Sequence, residues 1–335
     1  MSSETMPSDD DDDAQTQDKL TQAQLTAIEN EIKSSQPLTS QLLPISALLH
    51  QYSTTAANEQ QQSAGFIQSA QFLSTKYTSL RRVRGDGNCY YRAFLYSLCE
   101  HLLLRNNNNE TGGSKVFSRI KTTIVNSLKW VCQFGYEEMT IDMFHEELVE
   151  LFDFIEISLS AADNNDKSAS TAAGATKDES YHNNAQQQLH AKLNEENSTS
   201  DYCTWYLRVL TAAQMKSNPD RFLPFLLADE TNNMMMDIPT FCSREVEPMG
   251  KECGMVTVAA LAECLGVKVV IEYMDGRLSN NDAAAGGIGS SGEVVNHVFG
   301  QIHDEDDGGG KGDDEDSDRI CLTLLYRPGH YDILY

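Results

Sequence analysis

Apolar residues recur along this chain with two periods, and the change from one to the other orders its elements. In "DKLTQAQLTAIENEIKSS", which starts at Asp18, the residues Leu25, Ile28 and Ile32 share one helical face, and Pro37 ends the segment. A second helix-like stretch, "LTSQLLPISALLHQY", gives way to a Gln- and Ala-rich passage and then to "FIQSAQFLSTKYTSLRRVR". "CYYRAFLYSLCEHLLL" sets Phe94, Leu98 and Leu102 at helical spacing and breaks at "NNNNETGG", so 89–104 reads as a buried helix. Helices are also predicted at 115–133, 140–160 and 200–216, the last preceded by Ser198 and Asp201 at capping-box spacing. Between the last two runs "AADNNDKSASTAAGATKDESYHNNAQQQ", which is too polar to pack and is expected to loop out of the domain.

The last third changes period. "TVAALAECLG" is a helix closing on Gly266, and "VKVVIEYM" at 267–274 is β-branched and continuous, as a strand buried on both faces would be. Two glycine-rich or acidic interruptions follow, near 276–292 and 303–318. "RICLTLLYRPGHYDILY" then supplies two strand patterns joined at Pro328-Gly329. A helix feeds a sheet here, and the chain closes on a hairpin.

Composition narrows the classes. The 335 residues are 40% hydrophobic, enough for a proper core, and the formal charge is −25. Without clustered Lys and Arg, that charge excludes a nucleic-acid partner. Much of it sits in "DDDDD" at 9–13 and "DEDDGGGKGDDEDSD" at 304–318, solvated runs that are expected to stay disordered. No apolar stretch approaches the ~20 residues of a membrane helix, and "MSSETMPSDDDDD" has none of the regions of a signal peptide. The expected location is therefore cytoplasmic, with the nucleus as a further possibility, and no membrane partner. The eight cysteines are scattered without a C-x-x-C pair, so neither a metal site nor a redox motif is expected, and in a reducing compartment they stay thiols.

One of those thiols has a distinctive setting. "GDGNCYYRAF" delivers Cys89 through a glycine turn to the mouth of a helix. A cysteine attacks as thiolate, and a helix N-terminus or a neighbouring imidazolium favours that form. The turn Gly85-Asp86-Gly87-Asn88 can gather its N–H groups into a nest for an oxyanion. Among the eight histidines, His330 stands in the most constrained context. In "PGHYDILY" the strand period puts His330 and Asp332 on one face, so the carboxylate can orient the imidazole. Taken singly, a cysteine at a helix start is more often buried structure, and a His-x-Asp strand pair is more often a surface pair.

"DGNCYYRAF" together with "YRPGHYDILY" resembles the ovarian-tumour-type (OTU) cysteine proteases, and more closely their otubain group. "YTSLRRVR", "STSDYCTWYLRVLTA", "FCSREVEPMGKE" and "ALAECLGVKVVIEYMDG" are similar to otubain segments in the expected order. The resemblance implies an α+β fold, a small sheet packed among many helices, in agreement with the pattern above. The resemblance runs from about residue 18 to 335; with the acidic composition before it, the chain divides into an expected disordered tail at 1–17, a helical arm at 18–36 and a catalytic domain at 37–335. The OTU core of that domain begins near 79, and its insertions lie near 161–197, 276–292 and 303–318. The implied activity is a cofactor-free deubiquitinase that hydrolyses isopeptide bonds at the ubiquitin C-terminus. By position Cys89 matches the nucleophile, His330 the general base and Asp332 its orienter. Asp86 matches the acidic residue that helps shape the oxyanion loop with Gly87 and Asn88. The implied partners are ubiquitin and polyubiquitin chains. A second function of different class is inhibition of ubiquitin-conjugating enzymes through the arm, without catalysis. A papain-like protease acting on unrelated peptides fits less of the chain. Tyr90 stands where Phe is commoner, "GMVTVAAL" lacks the usual His and Ile character, and the insertions are long. These departures bear on linkage preference and spare the triad.

Overall fold

The computed structural model describes residues 19, 21, 23–24, 26–28, 30–55, 62–105, 111–168, 177–227, 236–276, 294–300 and 320–335. They belong to two units, 1–37 and 38–335. In the first, the described residues from 19 to 35 are helical (α1), with Ile28 53% exposed and Ile32 half-buried. Leu25, the third member of the expected apolar face, lies outside the described residues, as do the acidic tail, the expected insertion at 303–318 and, past Gly276, the one at 276–292.

The second unit is built around a mixed sheet of β1 (Leu43–Pro44), β2 (Ser79–Arg81), β3 (Lys268–Tyr273), β4 (Val295–Phe299), β5 (Cys321–Arg327) and β6 (His330–Leu334). Their order is β1-β2-β6-β5-β3-β4, with β3 and β5 parallel and the other pairs antiparallel. The runs VVI in β3 and LTLL in β5 supply branched, apolar side chains to both faces, which suits a parallel pair covered on each side. β5 and β6 join through Pro328-Gly329 with Arg327 opposite His330, and Gly329 holds φ +72°. A proline before a left-handed glycine is the pairing that type II turns prefer.

The helices are α2 (Ser46–Thr55), α3 (Gln62–Lys76), α4 (Cys89–Arg105), α5 (Thr111–Val131), α6 (Glu138–Ser168), α7 (Lys177–Leu193), α8 (Thr199–Ser217), α9 (Pro219–Leu227), α10 (Ile238–Phe241) and α11 (Met255–Leu265). α4 runs through the centre. Every residue from Asn88 to Glu100 is buried, as expected of a helix apolar almost all round, and its two charged side chains in that run, Arg92 and Glu100, are ion-paired. Arg81 meets Glu100 at 2.9 Å, and the Tyr335 hydroxyl bonds the same carboxylate. α11 ends at Gly266, whose φ of +59° is the left-handed C-terminal stop its sequence promised.

Two expectations fail. The polar stretch near 161–197 does not simply loop out. α6 continues to Ser168, and α7 lays Leu189 and Leu193 into the core that holds α4. Polar side chains help to hold it there: the Tyr96 hydroxyl lies 3.0 Å from His190 Nδ1, and Asn194 Oδ1 accepts the Thr39 N–H at 2.8 Å. Two leucines one turn apart make a stripe too thin to stand out against twelve polar neighbours, yet it is enough when tertiary bonds secure the rest. The capping box at α8 also fails. The Ser198 hydroxyl turns to Glu195 at 3.3 Å, and the Asp201 carboxylate serves the Asn197 N–H and an arginine of α4 instead.

Candidate active site

Cys89 is the first residue of α4, where the N–H groups of the opening turn have no acceptor within the helix and the helix dipole is positive. Its side chain is 3% exposed. The turn before it needs glycine in one place. Gly87 has φ +75°, and a Cβ there would stand 2.0 Å from the carbonyl oxygen of Gly250. Asp86 folds back over the turn: its Oδ1 accepts the Asn88 N–H at 3.0 Å, and its Oδ2 pairs with Arg92 at 2.8 Å. Arg92 also binds Asp201 at 2.7 Å and the Ser200 hydroxyl at 3.1 Å. Both Asp86 oxygens are thereby committed to the loop and to α4, so this carboxylate shapes the turn and does not orient the imidazole.

The hairpin brings the imidazole of His330, the candidate base. His330 Nε2 donates to Asp332 Oδ1 at 2.9 Å, which leaves Nδ1, the ring nitrogen packed against Gly85, for the Cys89 thiol to which the imidazole is hydrogen-bonded. Burial works against the charged ring, but the bonds to Asp332 and Cys89 and the charges of both outweigh it, and His330 is pushed up to about 9. Asp332 is wholly buried. Burial alone would raise its carboxyl, yet the His330 bond, the Arg327 guanidinium in close contact with Oδ2, and the Val83 N–H at 3.0 Å hold it below the usual range. Arg327 reaches onward to the Tyr52 hydroxyl at 3.4 Å, and Tyr52 stacks on Phe66. Cys89, His330 and Asp332 therefore come together in the order thiol, imidazole, carboxylate, although some 240 residues separate the first two.

Three further side chains bear on the site and were not singled out by sequence reasoning: Arg92, Arg208 and Arg327. Each is an arginine inside or beside an apolar run ("CYYRAF", "YLRVL", "LLYRPG"), and a cation in such a run was the signal available. Among the described residues there is no cluster of three His, Cys, Asp or Glu side chains suited to a metal ion.

A buried thiol at a helix start, bonded to an imidazole that a carboxylate orients, defines a thiol hydrolase, here on an α+β scaffold. The chain belongs to the otubains: the family described as Peptidase C65 Otubain matches residues 31–335. It is 30% identical over 318 residues to ubiquitin thioesterase OTUB1 of Homo sapiens, spanning 95% of this chain and 90% of that one. It is 31% identical over 284 residues to ovarian tumor domain-containing deubiquitinating enzyme 1 of Arabidopsis thaliana, spanning 84% and 78%. Among solved structures, the complex of h/ceOTUB1 with ubiquitin aldehyde and UBC13~Ub is similar with a TM-score of 0.65 and 26% identity, over 95% of this chain and 98% of that one.

Proposed function

We propose that this chain is a deubiquitinase in which Cys89 attacks the carbonyl at the ubiquitin C-terminus. The observation that carries the reading is the single imidazole of His330 joined at once to the Cys89 thiol and to the buried Asp332. The thiol proton passes from Cys89 Sγ to His330, ubiquitin's terminal glycine carbonyl sits over Sγ, and the C–S bond forms as the carbonyl oxygen takes the negative charge. The unpaired N–H groups at the start of α4 face that charge. Breaking of the C–N bond expels the lysine amine, which takes its proton from the His330 imidazolium. The thioester that remains is attacked by water, whose proton passes to the now neutral His330, and the sulfur leaves. Asp332 keeps the ring turned toward sulfur throughout.

Ubiquitin carrying a C-terminal electrophile tests this directly. Wild type should be labelled on Cys89 by peptide mass mapping and Cys89→Ser should not. Labelling of a different cysteine, or labelling of Cys89→Ser, overturns the assignment. Di-ubiquitins of each linkage, read on a gel, then define the chain preference.

A second reading, restraint of ubiquitin-conjugating enzymes without catalysis, is favoured by the likeness to complexes that contain UBC13~Ub and UBCH5B~Ub. Cys89→Ala should lose hydrolysis and keep that restraint, whereas removal of residues 1–35 should weaken it. We also propose a cytosolic or nuclear location, which eight cysteines without a disulfide between them would suit. Subcellular fractionation tests this placement.

A further inference from the structure

Arg208 stands in the middle of α8 with its side chain 1% exposed, and among the described residues no carboxylate pairs with it. A guanidinium buried without a counter-ion is costly unless its donors are well used. Its guanidinium lies over the Tyr91 ring, 4.5 Å from the centroid, and its two terminal nitrogens, but not Nε, donate to two loops. Nη2 reaches the carbonyl of Gly87 at 2.9 Å, the side-chain oxygen of Asn88 at 2.8 Å and the carbonyl of Lys251 at 2.7 Å, while Nη1 reaches the carbonyl of Val246 at 2.9 Å. Asn88 Oδ1 also accepts the Gly250 N–H at 2.9 Å, so the turn before Cys89 and the 246–251 segment are stitched together at the point where Gly87 and Gly250 meet.

The consequence lies in one peptide plane. The carbonyl of Gly87 and the N–H of Asn88 point in opposite directions from a rigid plane. Arg208 holds the first and Asp86 holds the second. The next carbonyl, that of Asn88, accepts from Arg92 N–H at 3.0 Å and closes the first turn of α4. With the planes on either side of Asn88 fixed, the direction of the Cys89 N–H is fixed too. We infer that Arg208 is a positioning residue for the hydrolysis: it holds the peptide planes that aim N–H groups at the oxyanion, and it does so from the second loop as well as the first. This rests on the hydrolase reading given above.

Lysine keeps the charge but replaces a planar fork by a point donor, which cannot span Val246 and the turn together. In Arg208→Lys, kcat on ubiquitin with a fluorogenic C-terminal amide should fall roughly 100-fold, as loss of oxyanion donors does, with KM nearly unchanged. Alkylation of Cys89 by iodoacetamide, followed by peptide mass mapping, builds no oxyanion and should stay within about 3-fold of wild type. A wild-type kcat, or a parallel fall in turnover and alkylation, overturns the inference. Should Arg208→Lys fail to fold, Asn88→Ala removes only the side-chain stitch. The same split, with about a 10-fold loss of kcat, is then expected, and an unchanged kcat is the adverse result. A wild type that the ubiquitin electrophile does not label at Cys89 overturns the hydrolase reading and this one with it. An active wild type with unaffected variants overturns this one alone.

Discussion

The turn that carries Cys89 and the hairpin that carries His330 meet at one site but are held by different means. The hairpin is held by main chain: β6 pairs with β5 on one side, Leu325 opposite Asp332, and with β2 on the other, Leu80 opposite Leu334. The turn has no sheet partner. Its carbonyls, amides and side-chain oxygen are bound by Asp86, Arg208 and the amide of Gly250, the last two contributed from far along the chain. The His330 imidazole thus rests on a cooperative ladder. The Cys89 turn depends on a handful of long-range polar bonds and a glycine contact. Substitutions should therefore be forgiven on the hairpin unless they touch the imidazole itself, and should be felt on the turn even when they touch no reacting atom.

His330→Ala is the largest expected effect, because it removes the proton donor to the leaving amine. Turnover of ubiquitin with a fluorogenic C-terminal amide should fall on the order of 1,000-fold while circular dichroism stays native, since β6 keeps its ladder. A folded variant that retains a tenth of wild-type turnover would remove His330 from its role. Next in size is Gly87→Ala on the opposite side. The added methyl meets a backbone oxygen at 2.0 Å, in a left-handed conformation that costs about 1–2 kcal/mol for any other residue. Backbone cannot swing aside as a side chain can, so the turn must move. A displacement near 1 Å costs about 100-fold in rate. Urea unfolding together with kcat would check it, and near-normal kcat would mean that the turn is softer than its contacts imply.

The same contrast explains what could be read from the chain without a structure. The hairpin was legible because its determinants are local: alternation, a Pro-Gly pair and His-x-Asp on one face. α4, α5, α6, α8 and α11 were legible by period, and "GDGNC" announced a glycine turn. What held that turn was not, because Arg208 and Gly250 lie 120 and 162 residues from Asn88 and no spacing rule links them. Arg208 looked like one polar residue in an apolar helix. β1 and β2 escaped because two or three residues carry no period, and α7 escaped because Leu189 and Leu193 were outnumbered by polar neighbours that only tertiary partners could satisfy.

Asp332→Asn should come third and show itself in pH dependence. The His330 imidazolium is favoured by the Asp332 bond and charge, so its folded value, about 9, stands above the ordinary 6.5. A raised value means that the stabilisation is fully present below about 6.5 and fades as pH rises through about 9. Activity that needs the imidazolium should fall along the same upper limb. An asparagine oxygen still accepts from Nε2 and from Val83, and Cys-His-Asn sites work in papain-like proteases, so the loss at neutral pH should be about 10-fold. With the negative charge gone and Arg327 left beside the ring, the upper limb should move to lower pH by about one to two units. A pH profile of kcat/KM measures this, and a limb that stays in place would mean that Asp332 does not set the charge on His330.

The smallest effect expected is that of Gly329→Ala, which repeats the Gly87 substitution on the hairpin. The two glycines have nearly the same backbone, φ +75° and +72°, so the strain intrinsic to alanine is the same at both. They differ in what the new methyl meets. At Gly329 the nearest atom is Glu252 Oε1 at 3.1 Å, the far end of a flexible side chain that can rotate away. The hydrogen-bonded strands on either side keep His330 in register while the turn absorbs about 1 kcal/mol of strain. Stability in urea should therefore drop by that amount, and kcat by no more than about 3-fold, since only a small shift reaches the ring. Measured side by side in one preparation, Gly87→Ala and Gly329→Ala compare the two ways of holding the site. Equal losses of kcat would show that the ladder protects the base no better than the stitched turn protects the nucleophile.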